Sequence, residues 1–401
     1  MTRHYSTKSF FRQMPNAQLA RYFHERGLFD DMDFSAMKEG NPDTLFQAWR
    51  SLSDNQRNAM DAEFRDIFEM SCEKGFRAII DEATWQMQEK PDELTSFVEM
   101  LSALSNHYER AMITFLDHYN LWRGATRFYH ADTLSNWRKR KNLPHCRAAV
   151  DEESLQQLAG LIRKYFHLTE GRGKNCVVEP FRRGELDYFF AYPEDYSQQS
   201  VEWVNGEFGR RPHNPAFEVI YVYSQKEGSI DLSFRGSYKA VEPLQGMFAT
   251  AILKLDELPP DPKDKRIYDL SPLFQKSFNF TYDIGNGIED VVVKKLRLSS
   301  RVKRGDRITL EADTSENRDA VYEILDQIAQ SIHFGLYNIT QVELSALVAV
   351  DAEKPAKRVP IRITYPNSCS LKYDEMGLKL RKMLEDSGIE PKVLEVCAVQ
   401  Q

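Results

Sequence analysis

The sequence predicts an α+β protein: an N-terminal all-helical domain followed by an antiparallel sheet built from strand–strand–helix units. Three observations lead there. Apolar residues recur at helical spacing through residues 1–170. Past Gly171-Arg172-Gly173 the period shortens to that of strands, with β-branched and aromatic runs between turn signals. From that point the order strand, strand, helix occurs three times, as a repeat of architecture without residue-level similarity.

In the helical part, Asn16 caps a segment with Leu19, Tyr22 and Phe23 on one face, and Gly27 closes it. Asp54 opens a longer helix through Met60, Phe64, Ile67 and Phe68, which Gly75 interrupts. Pro91 starts another, with Leu94, Phe97, Val98, Leu101 and Leu104. Met112, Phe115, Leu116 and Tyr119 continue the pattern. A short helix from Asp132 would carry Arg138 to Lys141 on its last turn. Asp151 then leads a helix with the stripe Leu155, Leu158, Leu161, Ile162, Tyr165 and Phe166.

Strands are expected over Asp187–Tyr192, Phe217–Tyr223 and Ile230–Phe234, the last two joined by Lys226-Glu227-Gly228-Ser229, with a helix near Pro243–Leu253. Val291–Leu298 and Arg307–Ala312 form the next pair, turned at Lys303-Arg304-Gly305-Asp306 and followed by a helix capped by Ser315. Val342–Val350 and Pro360–Tyr365 form the third, followed by a helix from Asp374 to Asp386 that Gly388 ends. These give a helical domain at residues 1–170, a first α+β unit at 175–258 and a second at 263–401, with Pro259-Pro260-Asp261-Pro262 between the last two. Helices are expected on one face of the sheet.

At 401 residues, two or three units are the expectation, and 42% hydrophobic content is enough to give each a core. The net charge of −7 argues against a general polyanion binder, so any polyanion site must be a local concentration of charge. Cys72, Cys146, Cys176, Cys369 and Cys397 are widely spaced and never in a CxxC pair. Free thiols in a reducing cytoplasm are therefore expected, rather than disulfides or a zinc site. No signal-type segment follows Met1, and no apolar run approaches the ~18–20 residues that cross a bilayer, so a cytoplasmic protein without membrane contact is expected.

Two basic clusters are the candidate nucleic-acid contacts. The first holds Arg123, Arg127, Arg138, Lys139, Arg140, Lys141 and Arg147, with Asp132 as its one acid and Trp122, Phe128, Tyr129 and Trp137 interleaved. Clustered cations neutralise phosphates, and aromatic rings stack on bases. The competing reading is a solvated run of capping charges, or one that pairs with the acidic Asp54–Glu93 stretch. The second cluster is Lys294, Lys295, Arg297, Arg301, Lys303, Arg304 and Arg307, with Asp306 the one acid between Val291 and Leu310. Strand alternation puts Lys295 and Arg297 on one face and Leu296 and Leu298 on the other. A basic β-ribbon fits a nucleic-acid groove; guarding of an edge strand is the alternative.

Arg123 to His130 resembles the Arg-then-His helix pattern of HEPN-type ribonucleases, which would imply a His moving protons and an Arg stabilising phosphorane charge. That family carries a polar residue after the Arg, where this chain has Gly124. Glu185, Asp187, Glu194 and Asp195 beside Arg182 and Arg183 are candidate ligands for a divalent metal, but Glu218-Val219-Ile220 lacks the lysine of a restriction-type nuclease. There is no HExxH, Walker, GxGxxG or GxSxG motif, and neither a cofactor nor a metal is expected. The expected function is a non-enzymatic recognition or regulatory protein that contacts nucleic acid. The alternatives are a protein-interaction or scaffold component, as homo-oligomer or with a protein partner in a stress or defence system, and a phosphodiesterase or ribonuclease with a non-obvious site.

Overall fold

The computed structural model describes residues 3–204, 206–260, 267–329, 331–349 and 355–391. The chain divides into two units, Met1–Thr133 and Leu134–Gln401.

The first unit is helical: α1 (Thr7–Gln13), α2 (Asn16–His24), α3 (Asp43–Arg50), α4 (Asp54–Met70), α5 (Glu73–Gln86), α6 (Pro91–Ala103), α7 (His107–Asp117) and α8 (Tyr119–Ala131). Local chemistry sets several boundaries. Ser53 and Gln56 form a capping box at the start of α4, Pro91 occupies the first turn of α6, and the Asn106 side chain accepts from Glu109 N to cap α7. The apolar stripes meet in an aromatic core. Phe10 stacks on Phe64 with centroids 4.9 Å apart, and Phe11 meets Phe64 edge-on at 5.4 Å. The expected break at Gly75 falls earlier, at Ser71 and Cys72, and Gly75 lies within α5. A Cβ at Gly75 would stand 2.0 Å from the Met70 carbonyl oxygen, so the tight corner between α4 and α5 requires glycine.

The second unit contains β1 (Trp137–Arg140), α9 (Glu152–Glu170), β2 (Cys176–Arg183), β3 (Leu186–Pro193), β4 (Gln198–Val204), β5 (Glu207–His213), β6 (Val219–Ser224), β7 (Ser229–Phe234) and α10 (Val241–Ala251). It continues with β8 (Ile288–Ser300), β9 (Arg307–Glu311), α11 (Ala320–Ala329), β10 (Tyr337–Val348), β11 (Lys357–Thr364), β12 (Ser368–Cys369) and α12 (Glu375–Asp386). Ten strands form one antiparallel sheet in the order β2-β3-β6-β7-β1-β12-β11-β10-β8-β9. The α+β class expected from the sequence is the class observed. The helix α9, grouped above with the helical residues, lays Leu158, Ile162 and Phe166 against strand residues Phe189, Tyr221 and Leu232 instead.

The helices do not share one face of this sheet. Arg138 pairs with Leu232, which belongs to the cluster under α9 and α10. Its neighbour Trp137 pairs with Cys369, which pairs in turn with Ile363 in the cluster under α11 and α12. Successive strand residues point to opposite faces. The single-face expectation therefore holds within each half, and the covered face reverses across β1. Each half consequently has its own core, and the seam between β1 and β12 has two rungs, Trp137 with Cys369 and Arg138 with Ser368.

The strands β4 and β5 stand outside the sheet as a two-stranded ribbon. A bridge between Glu194 and Ala216 carries the β3–β6 pairing toward it, and Gln198 pairs with His213 at its root. The ribbon is therefore the distal part of one long hairpin that begins in the sheet as β3 and β6.

Candidate functional site

The first basic cluster is divided between the two units. Arg123 and Arg127 lie on α8 in the helical unit, while Trp137 to Arg140 form β1 in the sheet unit. The short helix expected from Asp132 is replaced by a strand, because β7 offers an edge with which all four of its residues pair. Its residues split between the two faces. Arg138 and Arg140 point with Leu232 and Ile230, where the Arg138 guanidinium lies 5.0 Å from the Tyr238 ring centroid and Arg140 Nη2 donates to the Pro259 carbonyl at 2.5 Å. Trp137 and Lys139 point toward α12.

Lys139 is 4% exposed. Its ammonium meets Glu390 at 2.8 Å and Glu227 at 2.9 Å, and Lys141 reaches the same Glu390 at 2.9 Å. Beside it, Asp231 accepts from the Tyr373 hydroxyl, and Arg381 of α12 lies 4.1 Å from the Tyr373 ring centroid while donating to Leu371 O at 2.7 Å. Trp137 packs edge-on against the same ring at 5.4 Å. Burial alone would depress the Lys139 pKa, but Glu390, Asp231 and Glu227 outweigh it and raise it. Burial works to raise the Glu390 carboxyl; Lys139 and Lys141 overcome it and bring it down to about 2. Burial wins at Asp231, whose carboxyl is raised in spite of Arg381 and Lys139. Lys139 and Lys141 thus tie the β1 segment to Glu390, just beyond α12.

The second cluster is a hairpin at the sheet margin, with β9 as the edge strand. The expected alternation is present: Leu296 and Leu298 are buried, and Lys295 and Arg297 face away from that core. Three rows cross this outer face. In the innermost row Lys295 Nζ meets Glu311 at 2.8 Å, and Arg362 Nε donates to Glu343 at 2.9 Å. Arg297 in the next row is flanked by Thr309 and Gln341, and among the described residues no carboxylate neutralises it. Arg307 pairs with Ser299 in the third. Burial first and the charge of Arg307 second lower the Arg297 pKa, and Arg297 Nε is buried without a hydrogen-bond partner. Beyond the last rung, the turn exposes Arg301, Lys303 and Arg304. Lys303 approaches Asp306 at 4.0 Å, Arg301 Nη1 donates to Gly335 O at 3.3 Å, and no carboxylate engages Arg304 or Arg307 among the described residues.

The other candidates lie elsewhere. Arg123 and His130 are two turns apart on α8, about 10 Å along the axis. Gly124 between them lets α5 approach, since a Cβ there would stand 2.2 Å from the Glu82 carboxylate. Glu194 accepts from Asn175 and Asn214, both at 2.6 Å, and Asp195 accepts from Arg172 at 2.8 Å, so these carboxylates brace the root of the β4–β5 ribbon. Asp187 is buried on β3 at 3.5 Å from Arg182. Among the described residues no group of His, Cys, Asp or Glu could hold a metal ion, and no helix is long and apolar enough to cross a membrane. A groove of about 510 Å³ on the helical unit, lined by Gln86, Lys90, Glu93, His118 and Tyr119 among others, contains none of the nominated cations.

The partners that bury Lys139 escape a reading of the sequence because they are remote from it. The ribbon had a signal: Asn205-Gly206, between runs that alternate Val201, Trp203 and then Phe208, Arg210, marks a two-residue hairpin. The chain matches no protein-family model and no curated protein.

Proposed function

We propose that the protein is a recognition module that binds nucleic acid through the β8–β9 hairpin. The observation that carries the reading is the Arg297–Arg307 pair: two arginines in adjacent rows of one sheet face, the Arg297 pKa lowered by burial first and by Arg307 second, and neither neutralised by a carboxylate among the described residues. A phosphate between them relieves the repulsion. Arg301, Lys303 and Arg304 extend the same positive field around the turn. Edge guarding accounts for charges along β9, but Arg301, Lys303 and Arg304 lie beyond the last rung and guard no ladder. The first cluster contributes less to the reading, since Lys139 and Lys141 are committed to Glu390.

The test is fluorescence anisotropy with labelled single- and double-stranded DNA and RNA, at low and near-physiological salt. The wild type is expected to bind with a steep salt dependence. Replacing Arg301, Lys303, Arg304 and Arg307 with Ala should weaken binding to all sequences and reduce the logarithmic salt slope by about 3, at roughly 0.7–0.9 per phosphate contact. A variant that keeps the wild-type slope, or a wild type that binds nothing at low salt, overturns the reading.

A further inference from the structure

The β4–β5 ribbon is a second surface that the β8–β9 hairpin does not explain. Its register places Gln199, Val201, Trp203, Phe208, Arg210 and Pro212 on one face. Glu202, Glu207 and Arg211 lie on the other, where Arg211 approaches Glu202 at 3.7 Å. The first face is open along its whole length: Val201 is 60%, Trp203 71% and Phe208 62% exposed. Trp203 and Phe208 form a cross-strand pair with centroids 5.2 Å apart and planes tilted by 52°. Isolated two-stranded ribbons are marginal in water, so large rings left on one in solvent call for an explanation beyond its own stability.

The root of the ribbon is braced. Arg172 pairs with Asp195 and Glu170 and lies 3.8 Å from the Phe217 ring centroid, and the Tyr196 hydroxyl donates to Glu170 O at 2.5 Å. Glu194 N donates to Asn175 O and Asp195 N to Pro215 O, at 2.8 and 2.7 Å. The ring pair is therefore presented on an anchored arm.

We infer that this face binds an unpaired nucleic-acid strand, with Trp203 and Phe208 stacking on bases and Arg210 meeting the backbone. Charge and area both favour that occupant. The aromatic face carries a cation and no carboxylate, and both glutamates of the ribbon lie on the reverse, so a phosphate strand is accepted on one side only. A seven-residue ribbon is roughly 23 Å long and about 10 Å wide. Its face falls well below the ~800 Å² per partner of a stable protein interface. Base stacking needs no such area, because each ring acts on one base and tolerates any sequence. The inference rests on nucleic acid being the ligand, and assigns base contact to a surface separate from the hairpin that takes phosphate.

The experiment titrates the full chain with (dT)20 and with a 20-base-pair duplex, following anisotropy and tryptophan emission. Trp203→Ala with Phe208→Ala is compared with the hairpin variant and with wild type. The expected result is quenching of wild-type emission by (dT)20, loss of that quenching in the double variant, and weaker single-strand binding by on the order of tenfold per ring. The ribbon variant should lose proportionately less on the duplex. Its solvent-facing positions leave the fold intact, which circular dichroism checks. If the ribbon variant binds (dT)20 as wild type does while the hairpin variant does not, the inference falls and the hairpin reading stands. If wild type binds neither probe, both fall. If sedimentation instead shows self-association that the ribbon variant abolishes, the face serves a second copy and the inference is overturned.

Discussion

Lys139 and Glu390, 251 residues apart in the chain, meet at 2.8 Å in the middle of the ten-stranded sheet. Both side chains are 5% exposed, so the pair is an interior one. Removing one partner of a buried pair leaves the other charge desolvated and uncompensated. Glu390→Ala is therefore expected to cost about 3–5 kcal/mol. Replacing both, as Lys139→Met with Glu390→Leu, should recover most of that, because an apolar pair carries no desolvation cost. Urea denaturation of wild type and the two variants decides this; a Glu390→Ala loss below about 1 kcal/mol would show that Glu227 alone suffices for Lys139.

The same carboxylate sets an acid limit. Its folded pKa is depressed, so its contribution is present above the unfolded value of 4.5 and is lost as pH falls toward about 2. The drop from 4.5 to about 2, at ~1.4 kcal/mol per unit, is on the order of 3 kcal/mol. Asp231 has the opposite sign. Its folded pKa is raised, so it favours folding while protonated, and that contribution is lost as pH rises through the raised value. Stability measured across pH should decline on the acid side in wild type and much less in Glu390→Gln, whereas Asp231→Asn should remove the decline that runs from the unfolded carboxyl value of 3.8 up to the raised one. Unchanged profiles in both would mean that other groups govern the pH dependence.

Tyr373 donates the hydroxyl bond that Asp231 Oδ2 accepts, while Oδ1 has no hydrogen bond. Tyr373→Phe keeps the ring against Trp137 and Arg381 and removes only that donor. A loss of roughly 1–3 kcal/mol is expected, larger where Asp231 is ionised, above its raised carboxyl value, than below it, because an ionised carboxylate needs the donor more than a protonated one. Equal losses on the two sides of that value would place the contribution in ring packing.

Two glycines are expected to respond with opposite sign. Gly75→Ala puts a methyl 2.0 Å from the Met70 backbone oxygen, which must move, at a typical cost of about 1–3 kcal/mol. Gly160 lies inside α9, and a methyl added there would have nothing within 4 Å. Gly160→Ala should therefore stabilise by roughly 0.5–1 kcal/mol through helix propensity. Thermal denaturation of the two variants tests both signs at once.

Most elements were legible because their apolar periods are local. The Trp203–Phe208 ribbon had a local signal as well, in its alternation around Asn205-Gly206, but the prolines and arginines that follow it give the segment the composition of a loop. The strand Trp137–Arg140 could not be read that way. Three of its four residues are cations, and composition alone assigns such a run to solvent. What buries Lys139 is Glu227 and Glu390, 88 and 251 positions away, and no window of sequence contains that pairing. The second cluster was legible in part. The outward facing of Lys295 and Arg297 follows from alternation, but the neutralisation of Lys295 by Glu311 and Glu343, and its absence at Arg297, depends on which strands lie alongside.

The reversal of the covered face at β1 also bears on how the chain is made. Synthesis completes β2, β3, β6 and β7 well before Cys369 emerges, so in a chain that folds as it is made β1 would dock on β7 while its other side is still a bare edge. At that stage the edge carries Arg138, Lys139 and Arg140, with Lys141 just beyond. Cations are the residues that discourage a bare edge from recruiting another chain. Lys139 and Lys141, which meet Glu390 in the finished protein, would thus guard the growing edge until β12 and Glu390 arrive.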